Sequence, residues 1–428
     1  MIARLRSSGH QAFLVGGCVR DLLLGAKPKD FDIATDARPD RIMDLFPRSG
    51  RVGAHFGVVL VRDFFEQVEV ATFRSDHEYE DGRHPEHVRF EHDPREDVLR
   101  RDFTINGLLM DPDTGNVLDF VDGKGDLARG LVRAIGDPYA RFREDHLRLL
   151  RGIRFAARLN FEIEAETFAA MRRDHALIQR VAKERVREEL VRILTEGGAR
   201  RGFEMLDGTG MLEDLLPEVA DMKGVAQPPE FHPEGDVWQH TLLLLEQLHQ
   251  PTATLALGAL LHDVGKPPTY RVADRIRFDG HVEEGVRLAH HILTRLHFSR
   301  EDIDQIEALI DNHMKFKDVT RMKESTLKRF LRMPQFEEHL ELHRLDSLSG
   351  SRRLENYTHA MQKFQQYSVE HLQPQPLLTG TDLIGMGYHP GPQFSQILRM
   401  LEDAQLEGLL STQADAMELV RDKFPLSD

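Results

Sequence analysis

The sequence predicts an α+β protein: a small mixed β-sheet head followed by an elongated all-α remainder. Three observations lead there. Short apolar runs of strand length crowd into residues 12–74. From about residue 140 onward, apolar residues recur at spacings of three and four almost to the end. The segments are separated by Gly- and Pro-rich breaks. At 428 residues the chain has the length of about three domains. With 40% apolar and 30% charged residues it can build a core and is no disordered polyanion.

In the head, AFLV reads as a strand, GG as a turn, and CVRDLLL as an amphipathic helix that Gly25 stops. DFDIAT, GVVLVRDF and QVEVATF read as further strands. Residues 75–90, SDHEYEDGRHPEHVRF, are polar and rich in Gly, Pro and His, and read as a mobile loop. LRLLRGIRFAARL, LLLLEQLH, TLALGALLHDV, GVRLAHHILTRL and IDQIEALIDNH follow as helices. Breaks fall at 123–126, 226–236 and 373–382.

No apolar run approaches the ~20 residues of a membrane helix. The N-terminal segment is too polar for a secretory signal. Cys18 is the only cysteine, so neither an internal disulfide nor a cysteine metal cage is available. These features predict a cytoplasmic protein with no membrane partner. The net charge of −15 argues against a general nucleic-acid coat. It is unevenly spread: residues 211–428 hold 22 basic and 34 acidic residues, whereas 141–201 hold 15 basic and 10 acidic. A polyanion can still meet a local basic surface.

Two features of the head point to phosphate chemistry. A strand running through Gly16 and Gly17 into a helix bares backbone N–H groups, and a side chain there would hold a phosphate off. Arg20, one turn in, can add charged donors. Thirteen residues after Gly17 come Asp30 and Asp32, which on a strand share one face. Paired carboxylates repel, and a hard divalent cation such as Mg²⁺ neutralises them while binding substrate phosphates. Glu69, on a neighbouring strand, is a candidate third carboxylate.

GGCVRDLLLG-x4-DFD, then RRDFTING at 100–107 and EDHLRLLRGIRF at 144–155, resemble the bacterial CCA-adding tRNA nucleotidyltransferase and poly(A) polymerase family. The resemblance implies that Asp30 and Asp32 bind catalytic Mg²⁺. It implies that Gly17 and Arg20, and then Arg101 and Asp102, serve the nucleotide. Asn106 is followed by Gly107 where the family usually has alanine. Glu144, Asp145 and Arg148 match a motif whose aspartate and arginine pair with the base edge, and Arg151 and Arg154 continue the set. The chemistry agrees. Residues three apart on a helix step round by about 60°, so Arg148, Arg151 and Arg154 form a ramp of donors beside Asp145. Aspartate accepts from an exocyclic amino group and arginine donates to a ring acceptor, which selects C and A over U and G. By the same resemblance, 75–90 is a flexible element tied to the switch from C to A addition, and 114–127 is a hinge segment, both read as loops.

The second half carries His240, His262-Asp263, His281, His290-His291, His313 and Asp346. Histidine nitrogens with aspartate oxygens suit a borderline transition metal. ALLHDVGKP resembles the metal-dependent phosphohydrolase domain named after its HD dipeptide. That resemblance makes His240, His262, Asp263 and Asp346 the core ligands, with the other four histidines available to a second metal or a phosphate, which Lys266 could also meet. The tail resembles the C-terminal segment of CCA-adding members and lacks the arginine-rich extension of poly(A) polymerases.

The domains expected are a nucleotidyltransferase head (1–138), a helical neck that recognises base and RNA (139–225), an HD-type domain (226–350) and a helical tail (351–428). The function expected is addition or repair of the tRNA 3′-terminal CCA from CTP and ATP with Mg²⁺, with HD hydrolysis as a second activity. A CC-only, A-only or poly(A)-adding enzyme shares the same motifs. An HD phosphohydrolase with a nucleotide-sensing head is the alternative of another class. A noncatalytic RNA-binding protein fits the charge of −15 poorly.

Overall fold

The molecule, described here from a computed structural model, is defined over residues 1–426 apart from 52–56, 64–65, 80–81, 83–84, 231–232, 234 and 368. Among the described residues its head strands include β1 (Ala12–Val15), β2 (Asp32–Thr35), β3 (Ser49–Arg51), β4 (Val58–Asp63), β5 (Glu66–Thr72), β6 (Arg74–Tyr79), β7 (Pro85–Phe90), β8 (Leu108–Met110) and β9 (Val117–Asp119). Seven form one sheet in the order β3-β4-β5-β2-β1-β8-β9. Only the β2–β5 pair is parallel, so the sheet is mixed as expected.

Alternation along the strands fills both faces. Leu14, Ile33, Val59, Val70 and Leu108 pack with Leu5, Cys18, Val19 and Ile42, which are carried by the helices Ile2–Ser7, Gly17–Leu23 and Pro39–Leu45. Val15, Ala34, Phe73, Val98 and Leu109 form the core of the other face. On that second face the pattern puts Asp32 in line with Ala34. Asp30 itself lies in a bend before the strand, not on it.

Two readings of the head change. Residues 75–79 and 85–90 are strand and not loop: β6 and β7 pair antiparallel, with Arg74 opposite Phe90 and Tyr79 opposite Pro85, while 80–81 and 83–84 lie outside the described residues. Backbone hydrogen bonding between the two strands holds the pair although the sequence is polar. The segment 114–127 contains β9 and the start of the helix Gly123–Arg129. That helix begins at the expected break because Gly123 must lie against Thr104, whose carbonyl oxygen would sit 2.3 Å from any Cβ there.

Packing gathers the chain into two units, one of Met1–Asp221, Leu248–Ala253 and Ile292–Phe298, the other of the remainder. In the first, the sheet is followed by helices including Pro138–Glu144, Arg148–Leu159, Lys183–Thr195 and Ala199–Thr209. Arg148–Leu159 packs against Lys183–Thr195 through a buried ion pair, Arg154 Nε donating to Glu189 Oε2 at 2.6 Å. The second unit is helical apart from a two-stranded ribbon, Arg271–Val272 with Ile276–Arg277. The apolar run Ala253–Leu261 is one of its helices, buried nearly all round. Among the described residues no helix is long and apolar enough to cross a membrane.

Glu189→Ala takes the nearer partner from a buried guanidinium and leaves it the 3.3 Å contact with Glu196. We expect a loss of about 1.5–3 kcal/mol in urea unfolding of the full chain.

Candidate active site

The turn after β1 opens the site. Gly16 has φ of +75°, a conformation that favours glycine. Its bare Cα also leaves room for a guanidinium, since a Cβ there would sit 3.3 Å from Arg101 Nη1. Arg101 is held from behind by Asp97, through Nε at 3.2 Å and Nη2 at 2.8 Å. Asp97 is buried, which raises its pKa, but Arg100 and Arg101 outweigh burial and bring it to about 2.

Parallel pairing of β2 with β5 sets Asp32 beside Glu69. Burial, then Glu69 and Asp30, raise the pKa of Asp32 to about 6, and Arg101 offsets only part of this. Three crowded carboxylates of this kind are the donor set a hard divalent cation suits.

A chain of hydrogen bonds crosses the floor. Asp21 Oδ1 accepts from Arg20 Nε and Nη2 at 2.8 and 2.6 Å. Arg20 Nη1 donates to Asn106 Oδ1 at 2.8 Å. Asn106 Nδ2 donates to Asp102 Oδ1 at 3.1 Å. Asp102 Oδ2 accepts from Arg151 Nε and Nη2 at 2.9 and 2.6 Å. Burial raises the Asp102 pKa, but Arg151 chiefly pulls it down to about 2. Arg20 is therefore a buried strut, where the sequence suggested an open fork of donors.

Asp145 lies between the helices Pro138–Glu144 and Arg148–Leu159. Arg185 approaches it with Nη1 and Nη2 at 3.4 and 3.3 Å. Arg148 Nη1 donates to Glu144 Oε2 at 2.8 Å, and Nη2 to the Arg100 carbonyl at 2.8 Å. The expected ramp of arginines exists, but each member has its own acid: Glu144 for Arg148, Asp102 for Arg151, Glu189 for Arg154. Phe155 underlies three guanidiniums, with Arg20, Arg151 and Arg154 at 5.2, 5.4 and 4.3 Å from its ring centre. The hairpin reaches this region too: the His146 N–H donates to the Gly82 carbonyl at 3.2 Å.

Gly16, Gly17, Arg20, Asp30, Asp32, Arg101, Asp102, Asn106, Asp145, Arg148, Arg151 and Arg154 all line one cleft of about 560 Å³. Glu69 does not line it and joins only through its strand neighbour. The same cleft holds Lys29, Phe155, Arg158 and Arg192, which sequence reasoning missed. Arg185 was missed as well. Arg158 and Phe155 sit in the quoted helix at the right spacing, so its periodicity could have found them. Arg185 and Arg192, on a helix some 30 residues on, carry no local signal.

The second unit holds a separate cluster. His240, His262 and Asp346 bring ligand atoms within 4.8 Å of one another, and so do Asp263, His281 and His313. Three of the histidines are anchored alike: Nδ1 of His262, His281 and His313 meets the carbonyls of Ala259, Phe278 and Ile310 at 2.9, 2.8 and 2.6 Å. Among the described residues the buried Nε2 atoms of His281 and His313 have no hydrogen-bond partner, and His262 Nε2 lies 3.2 Å from Asp263 Oδ2. An anchored Nδ1–H with an unoccupied Nε2 is the posture of a metal-ligating imidazole. His240 Nε2 meets Asp346 Oδ1 at 3.1 Å. Burial raises the Asp263 pKa, but His262 and Lys266 hold it well below the usual range. Lys266 Nζ bridges Asp263 Oδ2 at 2.6 Å and Gln227 Oε1 at 2.7 Å. His290 and His291 are not part of the cluster: both are exposed, and His290 pairs with Glu307 at 2.7 Å.

Three family models match the chain: Poly A polymerase head domain over residues 12–133, "Probable RNA and SrmB- binding site of polymerase A" over 160–223, and HD domain over 236–350. Curated relatives named CCA-adding enzyme include one from Lactobacillus johnsonii, 38% identical over 58% of this chain, and one from Enterococcus faecalis, 44% identical over 60%. Each alignment spans 63% of the relative's own length, about three fifths. Among solved structures, the Bacillus stearothermophilus CCA-adding enzyme in complex with CTP shares the fold, with a TM-score of 0.76 at 24% identity over 99% of this chain and 96% of that one. The Thermotoga maritima CCA-adding enzyme complexed with tRNA does so with a TM-score of 0.60 at 20% identity, over 98% and 93%. The chain thus matches a polymerase-type head, an RNA-binding segment and an HD domain in that order, and it shares the fold of the solved CCA-adding enzymes.

Proposed function

We propose that this protein is a tRNA nucleotidyltransferase that adds or repairs the 3′-terminal CCA from CTP and ATP and releases pyrophosphate. One observation carries the reading. A single cleft gathers the Asp30–Asp32 carboxylates, the Gly16-Gly17 turn and the Asp145–Arg148 pair. The relatives named CCA-adding enzyme support it.

Asp30 and Asp32, with Glu69 beside them, would hold Mg²⁺, which when bound offsets charge on the α-phosphate and the departing pyrophosphate. Gly16 and Gly17 keep side chains away from the nucleotide phosphates, and Arg101 supplies fixed positive charge there. The tRNA 3′-hydroxyl oxygen bonds to the α-phosphorus as the bond to pyrophosphate breaks. Asp102 and Asn106 keep Arg151 and Arg20 in place. Asp145 accepts from the exocyclic amino group of C or A, and Arg148 donates to the adjacent ring nitrogen. On their Watson–Crick edges U and G offer no amino group beside a ring acceptor, so the protein reads the base without a template.

We divide the chain at 138/139, 225/226 and 350/351 into head, neck, HD domain and tail. The basic surplus in 141–201 suits the acceptor end of tRNA, held by shape and phosphate contacts. A reducing compartment such as the cytoplasm suits the lone buried Cys18. The unpaired imidazole nitrogens favour a second activity, a phosphohydrolase whose transition metal is held by His240, His262, Asp263 and Asp346.

Purified protein with tRNA lacking CCA, Mg²⁺ and labelled CTP or ATP tests the reading. Product length with each nucleotide alone and with both together separates CCA addition from CC, A or poly(A) addition. Wild-type protein extends the tRNA and Asp32→Ala falls to background; folded wild-type protein that incorporates neither nucleotide would refute it. Asp145→Ala should relax discrimination against UTP and GTP by about ten- to a hundredfold, from the ~1–3 kcal/mol of a bidentate pair.

A pH dependence follows from Asp32. Its folded pKa, about 6, lies above the ordinary 3.8, so the folded protein holds the proton more tightly than the unfolded chain. The empty protein therefore loses stability as pH rises from about 4 to about 6, and Asp32 becomes ready for a cation as pH passes through about 6. Mg²⁺ affinity, measured by calorimetry, should weaken as pH falls through about 6 and respond little above 7.

A further inference from the structure

A cavity of about 700 Å³ opens over the histidine–aspartate cluster, lined by Asp263, His281, His313 and Asp346. His343 lines it too, yet belongs to neither candidate ligand group. His343 sits one helical turn before Asp346, on the helix Phe336–Ser349. It is only 7% exposed, and both of its ring nitrogens are buried without a hydrogen-bond partner among the described residues. Its ring lies flat on Phe316, centroids 4.5 Å apart and planes within 8°. Phe316 in turn belongs to an apolar cluster with Phe330 and Phe336.

A neutral imidazole carries one donor and one acceptor, and burying both unpaired is unfavourable. Burial keeps this ring neutral, with a pKa of about 4. One face is closed by Phe316, and the surrounding cluster is apolar. The cavity is the side from which a polar partner can arrive. Its lining states what kind: Arg275, Lys317 and Arg353, together with Asp279 and Glu355, share it with the candidate metal ligands. Cationic side chains in one cavity with a metal site suit a phosphate group.

We propose that His343 is a substrate-contact residue of this cavity, hydrogen-bonding an oxygen of a phosphorylated ligand held between the cluster and the Arg275–Lys317–Arg353 wall. The inference rests on reading the cluster as a metal centre. The phosphate can belong to a free nucleotide or to an RNA terminus, which share this chemistry.

The test uses the full chain loaded with Mn²⁺ and titrated calorimetrically with inorganic phosphate. Binding that disappears in His262→Ala belongs to this cavity and not to the nucleotide cleft. His343→Phe preserves the stack on Phe316 and removes both nitrogens. The phosphate Kd should rise about tenfold, equivalent to about 1.4 kcal/mol, with Mn²⁺ content and melting temperature as in the wild type. His343→Asn restores a donor and should recover most of the affinity. Should His343→Phe fail to fold, the comparison is His343→Asn against His343→Leu, and the asparagine must bind phosphate more tightly. Unchanged affinity in His343→Phe, loss of its Mn²⁺, or no His262-dependent phosphate binding in the wild type overturns the proposal. Parallel titrations with 5′-AMP and a 3′-phosphorylated oligoribonucleotide distinguish the two sources. Phosphate binding without any turnover of p-nitrophenyl phosphate would remove the hydrolase reading and leave the contact standing.

Discussion

Mutual repulsion among Asp30, Asp32 and Glu69 is the constraint around which the head is built. The strands have no freedom to relieve it. Parallel pairing of β2 and β5 fixes Asp32 next to Glu69, and Ile33 and Ala34 are buried on opposite faces of the sheet. A one-residue slip would send both apolar residues the wrong way. Burial first, and then the neighbouring charges of Glu69 and Asp30, raise the pKa of Asp32. An arrangement this unfavourable in the empty protein makes sense where a cation completes it.

Opposite the acids stands a set of guanidiniums with almost no slack. Arg101 is clamped by Asp97, Arg151 by Asp102, Arg148 by Glu144 and Arg154 by Glu189. Each acid orients its arginine at the cost of some of its positive field. Arginine suits this use because one planar group can hold a carboxylate on one edge and keep donors on another. The histidine cluster follows the same logic with other chemistry: backbone carbonyls anchor Nδ1 and leave Nε2 directed elsewhere.

Much of this was legible in the sequence because chemistry and spacing coincide there. Gly16-Gly17 before a helix and the acids at 30 and 32 name a phosphate-and-cation site from short-range pattern alone. His262-Asp263 does the same for the second cluster. What was hidden depends on pairing between distant segments. Arg20 looks like an available donor until Asn106, 86 residues away, is seen to occupy it. The hairpin at 74–90 was obscured by its polar, Gly- and Pro-containing composition, since strand pairing there is satisfied by backbone rather than by an apolar face. His290 and His291 resembled ligands by residue type, but their helix turns them outward, and a face is decided by packing rather than by identity.

Phe155 carries a consequence of its own. Three cationic groups rest around one aromatic ring with no substrate present, so the positive charge of the pocket is built in beforehand. Under the function proposed above, a departing pyrophosphate would meet the same fixed guanidiniums as the incoming triphosphate, so its release and its re-entry would both depend on the rigidity of the arginines. A looser, lysine-lined pocket would let go sooner and hold its substrate less well.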